Sequence, residues 1–319
     1  MRETDDVLSR YYSDGFRKYR SFEKLAEGGS ASIETAFDNN LGRRVAIKRL
    51  HPHLQGKEVA DRRFLREARV TAMIQHPGTV PVYEVGRDTE GQLYFSMKHL
   101  EGRDLRAILI DLVARDEEAL DSFPLQRLIG IILQVCQTVA YAHKCGVIHR
   151  DLKPANILVG EFGEVTVLDW GLAKIKGGLG PADSVVLDSA TPLSATLTDP
   201  GGRYGTPLFM SPEQARGDAD IDERTDVYNI GSILFSVLTL NSFASGQPIG
   251  EDPTAAVDDI LQSVQAGTCD LQLESKPGWH ITADLEATCR KALETDRDRR
   301  HPSVLSLAQE LQAYVLTGI

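Results

Sequence analysis

Over residues 22–97 the apolar positions come in short runs broken by turn formers, and five of these runs, at 22–25, 33–37, 44–48, 80–85 and 93–97, predict the strands of a small antiparallel sheet. Asp38-Asn39-Asn40 and residues 88–91 supply turn chemistry between them. One helix is expected at about 60–73, where Arg, Glu and Ala dominate. Beyond Gly102 the apolar period lengthens: Leu125, Leu128, Ile132, Cys136, Val139 and Ala140 recur at helical spacing within 124–144, with Pro124 suited to the first turn and Gly146 to the stop. A second hairpin is expected from 157–159 and 165–168, joined by Gly160-Glu161-Phe162-Gly163, and helices return at 226–240 and towards the C-terminus. Residues 176–204 are rich in Gly, Ser, Thr, Pro and Asp without apolar periodicity, which predicts a long mobile loop. The change from strands to helices near 100–104 predicts an α+β chain in two parts, with no internal repeat.

At 319 residues the chain suits one large domain or two lobes, and its 42% hydrophobic and 25% charged residues exclude a disordered or fibrous protein. Asp and Glu outnumber Lys and Arg by 46 to 35; the resulting charge of -11 repels a phosphate backbone, so no nucleic acid is expected as a partner. Cys136, Cys145, Cys269 and Cys289 form neither a CxxC pair nor a metal-ligand spacing, as free thiols in a reducing cytosol would. The charged N-terminus lacks the apolar run of a secretion signal. Residues 230–240, the longest apolar stretch, are interrupted by Ser232 and Ser236 and fall short of the ~20 residues of a membrane span, so no membrane segment is expected.

Three constellations carry candidate chemistry. Leu25-Ala26-Glu27-Gly28-Gly29-Ser30-Ala31-Ser32-Ile33 is a turn whose glycines would let backbone amides approach phosphate oxygens, although Gly-Gly at a hairpin tip is also ordinary turn chemistry. Val45-Ala46-Ile47-Lys48 ends an apolar run on a cation; a snorkelling lysine would look the same, but Glu67 on the following helix is placed to pair with Lys48 and hold it against α- and β-phosphates. The densest is His149-Arg150-Asp151-Leu152-Lys153-Pro154-Ala155-Asn156, followed by Asp169-Trp170-Gly171 at the end of a strand. Asn156 and Asp169 offer hard oxygen ligands suited to Mg²⁺.

In this order, together with Gly205-Thr206-Pro207-Leu208-Phe209-Met210-Ser211-Pro212-Glu213, these segments resemble the eukaryotic-type (Hanks-type) protein kinase superfamily, especially its bacterial serine/threonine members, over about 19–311. The resemblance implies a bilobal protein kinase fold: an N-terminal extension at 1–18, an N-lobe of antiparallel sheet plus one main helix at 19–100, a mostly helical C-lobe at 101–315 with its activation segment at 169–213, and a tail at 316–319. It implies ATP and Mg²⁺, with Mn²⁺ admissible, and protein substrates phosphorylated on Ser or Thr. Asp151 is the implied base, Lys153 the cation on the γ-phosphate, and Thr206 their partner in the substrate-facing loop. Lys48 and Glu67 serve the other phosphates, Asn156 and Asp169 the metal, and Leu25, Ala26, Glu27, Gly28, Gly29, Ser30, Ile33 and Ala46 surround the nucleotide. Adenine is expected at the main chain of Lys98 and Leu100, beside Met97 as gatekeeper, with Asp104 near the ribose. Lys153 two residues after Asp151, and Thr206 before Pro207, favour Ser/Thr over Tyr as acceptor. Glu213 is expected to pair with Arg300, and Asp226 to cap a central helix and support the catalytic loop.

The resemblance also implies that Arg150 awaits a phosphate on the activation loop, where Ser184, Ser189, Thr191, Ser194, Thr196 and Thr198 are available and the last two lie nearest the usual distance. Autophosphorylation in trans within a dimer is part of that expectation. So is a cytoplasmic location, either alone or as the cytoplasmic part of a longer membrane-anchored protein. Ala26 and Ala31 stand where the family usually has glycines, Trp170 where it has phenylalanine and Ser211 where it has alanine. The two missing glycines motivate the main rival reading, a pseudokinase scaffold; a small-molecule kinase is opposed by Thr206 and the Ser-Pro-Glu segment.

Overall fold

The computed structural model describes residues 13–176, 206–253, 255–273 and 279–317, in two compact units. The first takes residues up to 75 and 80–101. Its sheet has β1 (Tyr19–Glu27), β2 (Ala31–Asp38), β3 (Arg43–Leu50), β4 (Val82–Arg87) and β5 (Leu93–Lys98) in the order β1-β2-β3-β5-β4, every neighbour antiparallel. Alternation along the strands gives the sheet two apolar faces. Ala31, Leu50, Leu93 and Phe95 pack with Phe64 and Ala68 of α1 (Glu58–Met73). Ala36, Val45, Ile47, Tyr19 and Tyr94 form the opposite face, against which Phe16 packs.

The expected strands are present but shifted. β1 runs three residues earlier and two later than 22–25, with register shifts between Arg20 and Glu23 and between Lys24 and Ala26, and with Ser21 at φ +56°. Those irregularities interrupt the alternation from which the strand was read. β4 starts at Val82 and not at residue 80, because Pro81 has no N–H for the ladder; its carbonyl instead accepts from Lys98 N–H at 3.0 Å. In α1, Glu58 and Asp61 favour the positive end of the helix dipole, and Glu58 pairs with Arg62 one turn on.

The second unit takes 76–79 and the described residues from 102 onward. β6 (Arg103–Asp104), β8 (Ile157–Val159) and β9 (Val165–Val167) form one small sheet, and β7 (Val147–Ile148) pairs with β10 (Lys174–Ile175) in another. Two short helices, α2 (Leu105–Val113) and α3 (Glu117–Ser122), are capped by Asp104 and Asp116. The core is built on α4 (Leu125–Lys144) and α6 (Arg224–Thr239), with α5 (Pro212–Arg216), α7 (Val257–Ala266), α8 (Ala283–Ala292) and α9 (Val304–Thr317) around them. Every residue of α6 from Thr225 to Thr239 is buried. A Cβ on its Gly231 would lie 2.8 Å from Ala292 Cβ, so glycine permits the close approach of α8. By length and composition α4 could cross a membrane, yet Leu128, Ile129, Ile132, Val135, Cys136 and Val139 are fully buried within this unit and the helix packs on α6 and α9.

Candidate active site

In the first unit the strand register gathers five of the expected nucleotide residues, Ala26, Ile33, Ala46, Lys48 and Met97, on one face. Ala26, Ile33, Lys48 and Phe95 are successive cross-strand partners, and Thr35, Ala46 and Met97 form the next row on that face. Lys48 Nζ is ion-paired with Glu67 Oε1, both side chains being largely buried. Glu67 reaches that face because Phe64, Ala68 and Thr71, at helical spacing around it, are the buried residues of α1. Leu25, Ala26, Glu27, Gly28 and Gly29 are exposed at the end of β1 and in the following turn, and Ser30 is half-buried. Ala31 is 4% exposed, packed with Leu50, Phe64 and Phe95, and neither it nor Ala26 has a positive φ. Alanine thus fills both positions without backbone strain. Lys98 ends β5, and Leu100 follows it half-buried.

In the second unit the loop after β7 is held by Asp226, whose carboxylate is fully buried. It accepts from His149 N–H at 2.9 Å, from Arg150 N–H at 2.9 Å and from His143 Nε2 at 2.7 Å. Burial alone would push this carboxyl up, but these donors and the nearby imidazoles hold it below the usual carboxylate range. Asp226 does not cap its helix: Glu223 occupies the N-cap, and Asp226 lies in the first turn with its side chain turned to the loop. Its oxygens are consumed by amides distant in sequence, which local capping patterns do not reveal. The loop needs such a tether because Arg150 has φ +68°.

His149 donates from Nε2 to the Leu168 carbonyl at 3.1 Å and accepts Asp151 N–H on Nδ1 at 3.2 Å, while Trp170 lies against its ring at 4.5 Å. Asp151 is 7% exposed. Its Oδ1 accepts from Thr206 N–H at 2.8 Å and from Thr206 Oγ1 at 3.0 Å, and its Oδ2 accepts from Lys153 Nζ at 2.8 Å; Lys153 also donates to Thr206 Oγ1 at 2.7 Å. Asn156 donates its amide to the Asp151 carbonyl at 2.9 Å, which assigns its Oδ1 as the outward acceptor. Asn156 O also accepts Leu168 N–H at 2.8 Å, tying the loop to the residue before Asp169. Asp169 is exposed, at φ +60°. A carboxylate and a carboxamide oxygen are a donor set that fits Mg²⁺ or Mn²⁺. Asp104, expected near the ribose, caps α2 by accepting Ala107 N–H at 2.8 Å.

Around this loop, Arg150 Nε donates to the Leu172 carbonyl at 2.7 Å and the Arg150 carbonyl accepts from Gln214 Nε2 at 2.6 Å. Burial and the neighbouring Arg150 charge lower the Lys174 ammonium from its ordinary value. Glu213 forms a two-pronged pair with Arg300 at 2.8 Å on each arm, both residues buried, and Thr225 adds a third donor. Thr196 and Thr198, with Ser184, Ser189, Thr191 and Ser194, lie outside the described residues. Sequence reasoning assigned no role to His143, His149, Gln214 or Asn229. For Gln214 the signal was the Ser211 to Gln214 capping box; Asn229, which donates to Gln214 Oε1 and the Phe209 carbonyl, carries none beyond a polar residue in an apolar helix.

The chain is 33% identical over 308 residues to serine/threonine-protein kinase PknD of Chlamydia trachomatis, and 33% identical over 304 residues to PknD of Chlamydia abortus. It is 31% identical over 306 residues to PknD of Protochlamydia amoebophila. These matches take in 94%, 93% and 93% of the chain but 32%, 31% and 30% of the relatives, so the chain spans about a third of their length. The profile of the protein kinase domain family matches residues 19–312, and the chain belongs to that family.

Proposed function

We propose that this chain is a protein serine/threonine kinase that transfers the γ-phosphoryl group of ATP to Ser or Thr hydroxyls of proteins. The observation that carries the reading is the triangle of Asp151, Lys153 and Thr206, in which a nearly buried carboxylate is aimed by a hydroxyl, an amide and an ammonium. In the transfer, the acceptor hydroxyl oxygen bonds to the γ-phosphorus as the bond from that phosphorus to the β-bridging oxygen breaks. ADP leaves, and the hydroxyl proton passes to Asp151. Lys153 offsets negative charge on the moving group, and Lys48, aimed by Glu67, does the same for the remaining phosphates. Asn156 Oδ1 and Asp169 would hold the divalent ion, which would supply neutralisation of phosphate charge. Because the Lys98 amide is taken by Pro81, Lys98 serves adenine through its carbonyl and Leu100 through its N–H. Met97 borders the base and Asp104 the ribose. Leu25, Ala26, Glu27, Gly28, Gly29, Ser30, Ile33 and Ala46 enclose the nucleotide.

The alanines that motivate a pseudokinase reading do not support it, since Ala31 is a core residue and both have ordinary backbone angles. Arg150 receives an activation-loop phosphate, at Thr196 or Thr198, placed there in trans by a second copy. Free cysteines and dependence on ATP support a cytoplasmic location for this domain.

The test is incubation with Mg-ATP and a generic protein acceptor beside an Asp151→Asn variant. The expected outcome is phosphoserine and phosphothreonine from the parent and a loss of about 10²–10⁴-fold in the variant. Equal incorporation by both would remove Asp151 from the mechanism, and no incorporation by the parent would remove the activity.

A further inference from the structure

The turn between β1 and β2 is fastened to the end of β3 through one residue. His51, immediately after β3, places Nε2 at 2.8 Å from the Gly28 carbonyl oxygen, and its backbone N–H donates to the Ser30 carbonyl at 2.9 Å. The carbonyl can only accept, so the proton is on Nε2. The His51 side chain is 15% exposed and stacks on His53 at 5.5 Å, with Glu27 Oε1 3.5 Å from Nε2 and Glu27 paired in turn with Lys24. Gly28 N–H closes the turn onto the Ala31 carbonyl at 2.9 Å.

Trans peptides are flat, and in each the N–H points opposite to the C=O. Holding the Gly28 and Ser30 carbonyls toward His51 therefore turns the N–H groups of Gly29 and Ala31 the other way. Neither Gly28 nor Gly29 has a positive φ, and a Cβ on Gly29 would meet nothing within 4 Å, so the packing of this unit does not itself demand glycine there. What the missing side chains do allow is close approach of something outside the chain to correctly turned amides.

We propose that His51 is a positioning residue for the ATP phosphates: it fixes two peptide planes of the glycine turn so that the Gly29 and Ala31 amides present their N–H groups to phosphate oxygens. The inference rests on the kinase reading above, and it departs from that reading in assigning part of the nucleotide affinity to an imidazole that touches no nucleotide.

The experiment measures binding of Mg-ATP and of adenosine by calorimetry to the parent, His51→Ala and His51→Gln, with the ATP and acceptor KM values from initial rates. Loss of one hydrogen bond corresponds to about a fivefold change. The expected result is Mg-ATP affinity weakened about fivefold in His51→Ala with adenosine affinity and acceptor KM unchanged, and more than half of the loss recovered in His51→Gln, whose amide nitrogen can reach the same carbonyl. Equal weakening of adenosine and Mg-ATP would mean a general loosening of this unit and would overturn the inference, as would unchanged Mg-ATP binding in His51→Ala, or identical Ala and Gln variants. A parent that binds no Mg-ATP would instead fail the kinase reading itself and take the inference with it.

Discussion

At the scale of single residues, the Glu213–Arg300 pair shows how burial decides what a charge does. Arg300 gives both terminal nitrogens to the carboxylate, Nε to the Glu294 carbonyl, and its face to the Tyr228 ring at 4.9 Å. Burial would raise the Glu213 carboxyl, but the hydrogen bonds and charge of Arg300 hold it below the usual range. Removing the guanidinium alone strands a carboxylate that water cannot reach. Arg300→Met should therefore cost about 3–5 kcal/mol by urea denaturation, whereas the double change Glu213→Gln with Arg300→Met should cost clearly less. If the double variant is as unstable as the single, the penalty comes from lost packing and not from the orphaned charge. Asp226 follows the same logic with amides as partners: Asp226→Asn keeps the volume but brings an NH₂ against at least one N–H donor. It should lower kcat by at least tenfold, through loss of the Arg150 conformation, while leaving Mg-ATP affinity within about twofold, since an interaction used only in the chemical step leaves ground-state binding intact. A matched loss of nucleotide binding would show that Asp226 serves more than the loop.

At the scale of elements, the segment before β1 behaves as part of the first unit. Phe16 packs edge-on to Tyr19 and Tyr94 and stacks on Phe22, Arg49 lies over Phe16 and Phe22, Lys18 pairs with Glu84, and Ser13 exchanges two hydrogen bonds with Asn40. The family match begins at Tyr19, which would make residues 13–18 look dispensable. A truncation starting at Tyr19, or Phe16→Ala alone, is expected to destabilise this sheet by about 1–3 kcal/mol, the range for uncovering a partly buried aromatic, and to speed amide exchange in β1 to β3. Unchanged exchange would mean that the aromatic face is stable uncovered. Phe16 was not legible beforehand, because one aromatic among polar neighbours carries no period. Elements with several repeats of their period were legible: α4 was placed to within one residue, and β3 and β5 closely, while the three-residue strands of the 157–168 hairpin were marked by the Gly160 to Gly163 turn between them. Two-residue strands such as β7 and β10 hold no full period and exist only through long-range pairing. The site divides the same way. Lys48, Asp151, Asn156 and Asp169 stand out as charged or amide groups in compact local motifs, whereas the His51 fastening joins residues 23 positions apart and leaves no local trace; the Asp226 tether, which reaches His143 83 positions away, was expected only through the family resemblance.

At the scale of the whole molecule, the buried titratable groups set how the protein responds to acid. His301 is fully buried, and burial lowers it from its ordinary value more than its bond to Glu310 at 2.9 Å raises it; burial lowers His76 as well. For a histidine whose folded pKa is depressed, the unfolded chain takes up a proton first as pH falls. The stability these two groups provide is therefore complete above about pH 6.5 and is lost as pH drops toward their folded values, with a slope of at most about 1.4 kcal/mol per pH unit for the one proton of buried His301, half-exposed His76 adding a smaller, solvent-screened part. Carboxylates act lower. Asp226, Glu213, Glu84 and Glu310 are all held below their ordinary values once burial and partners are combined, so their stabilisation is intact above about pH 4.5 and is lost only below it. Net charge acts in the opposite sense, since the chain moves from -11 toward neutrality near its pI of 5.3 and self-repulsion falls. That term is long-ranged and screened by moderate salt, whereas buried imidazoles are not. In moderate salt the urea midpoint should hold between pH 8 and about 7, decline through the histidine window, and fall more steeply below about pH 4.5. His301→Gln, which keeps a donor for Glu310 but cannot take up a proton, should flatten the first decline and leave the second. A midpoint that stays level from pH 7 to 5 would mean that these histidines are solvated in the folded protein and that acid acts on it through carboxylates alone, and a first decline unchanged in His301→Gln would mean that His301 is not its source.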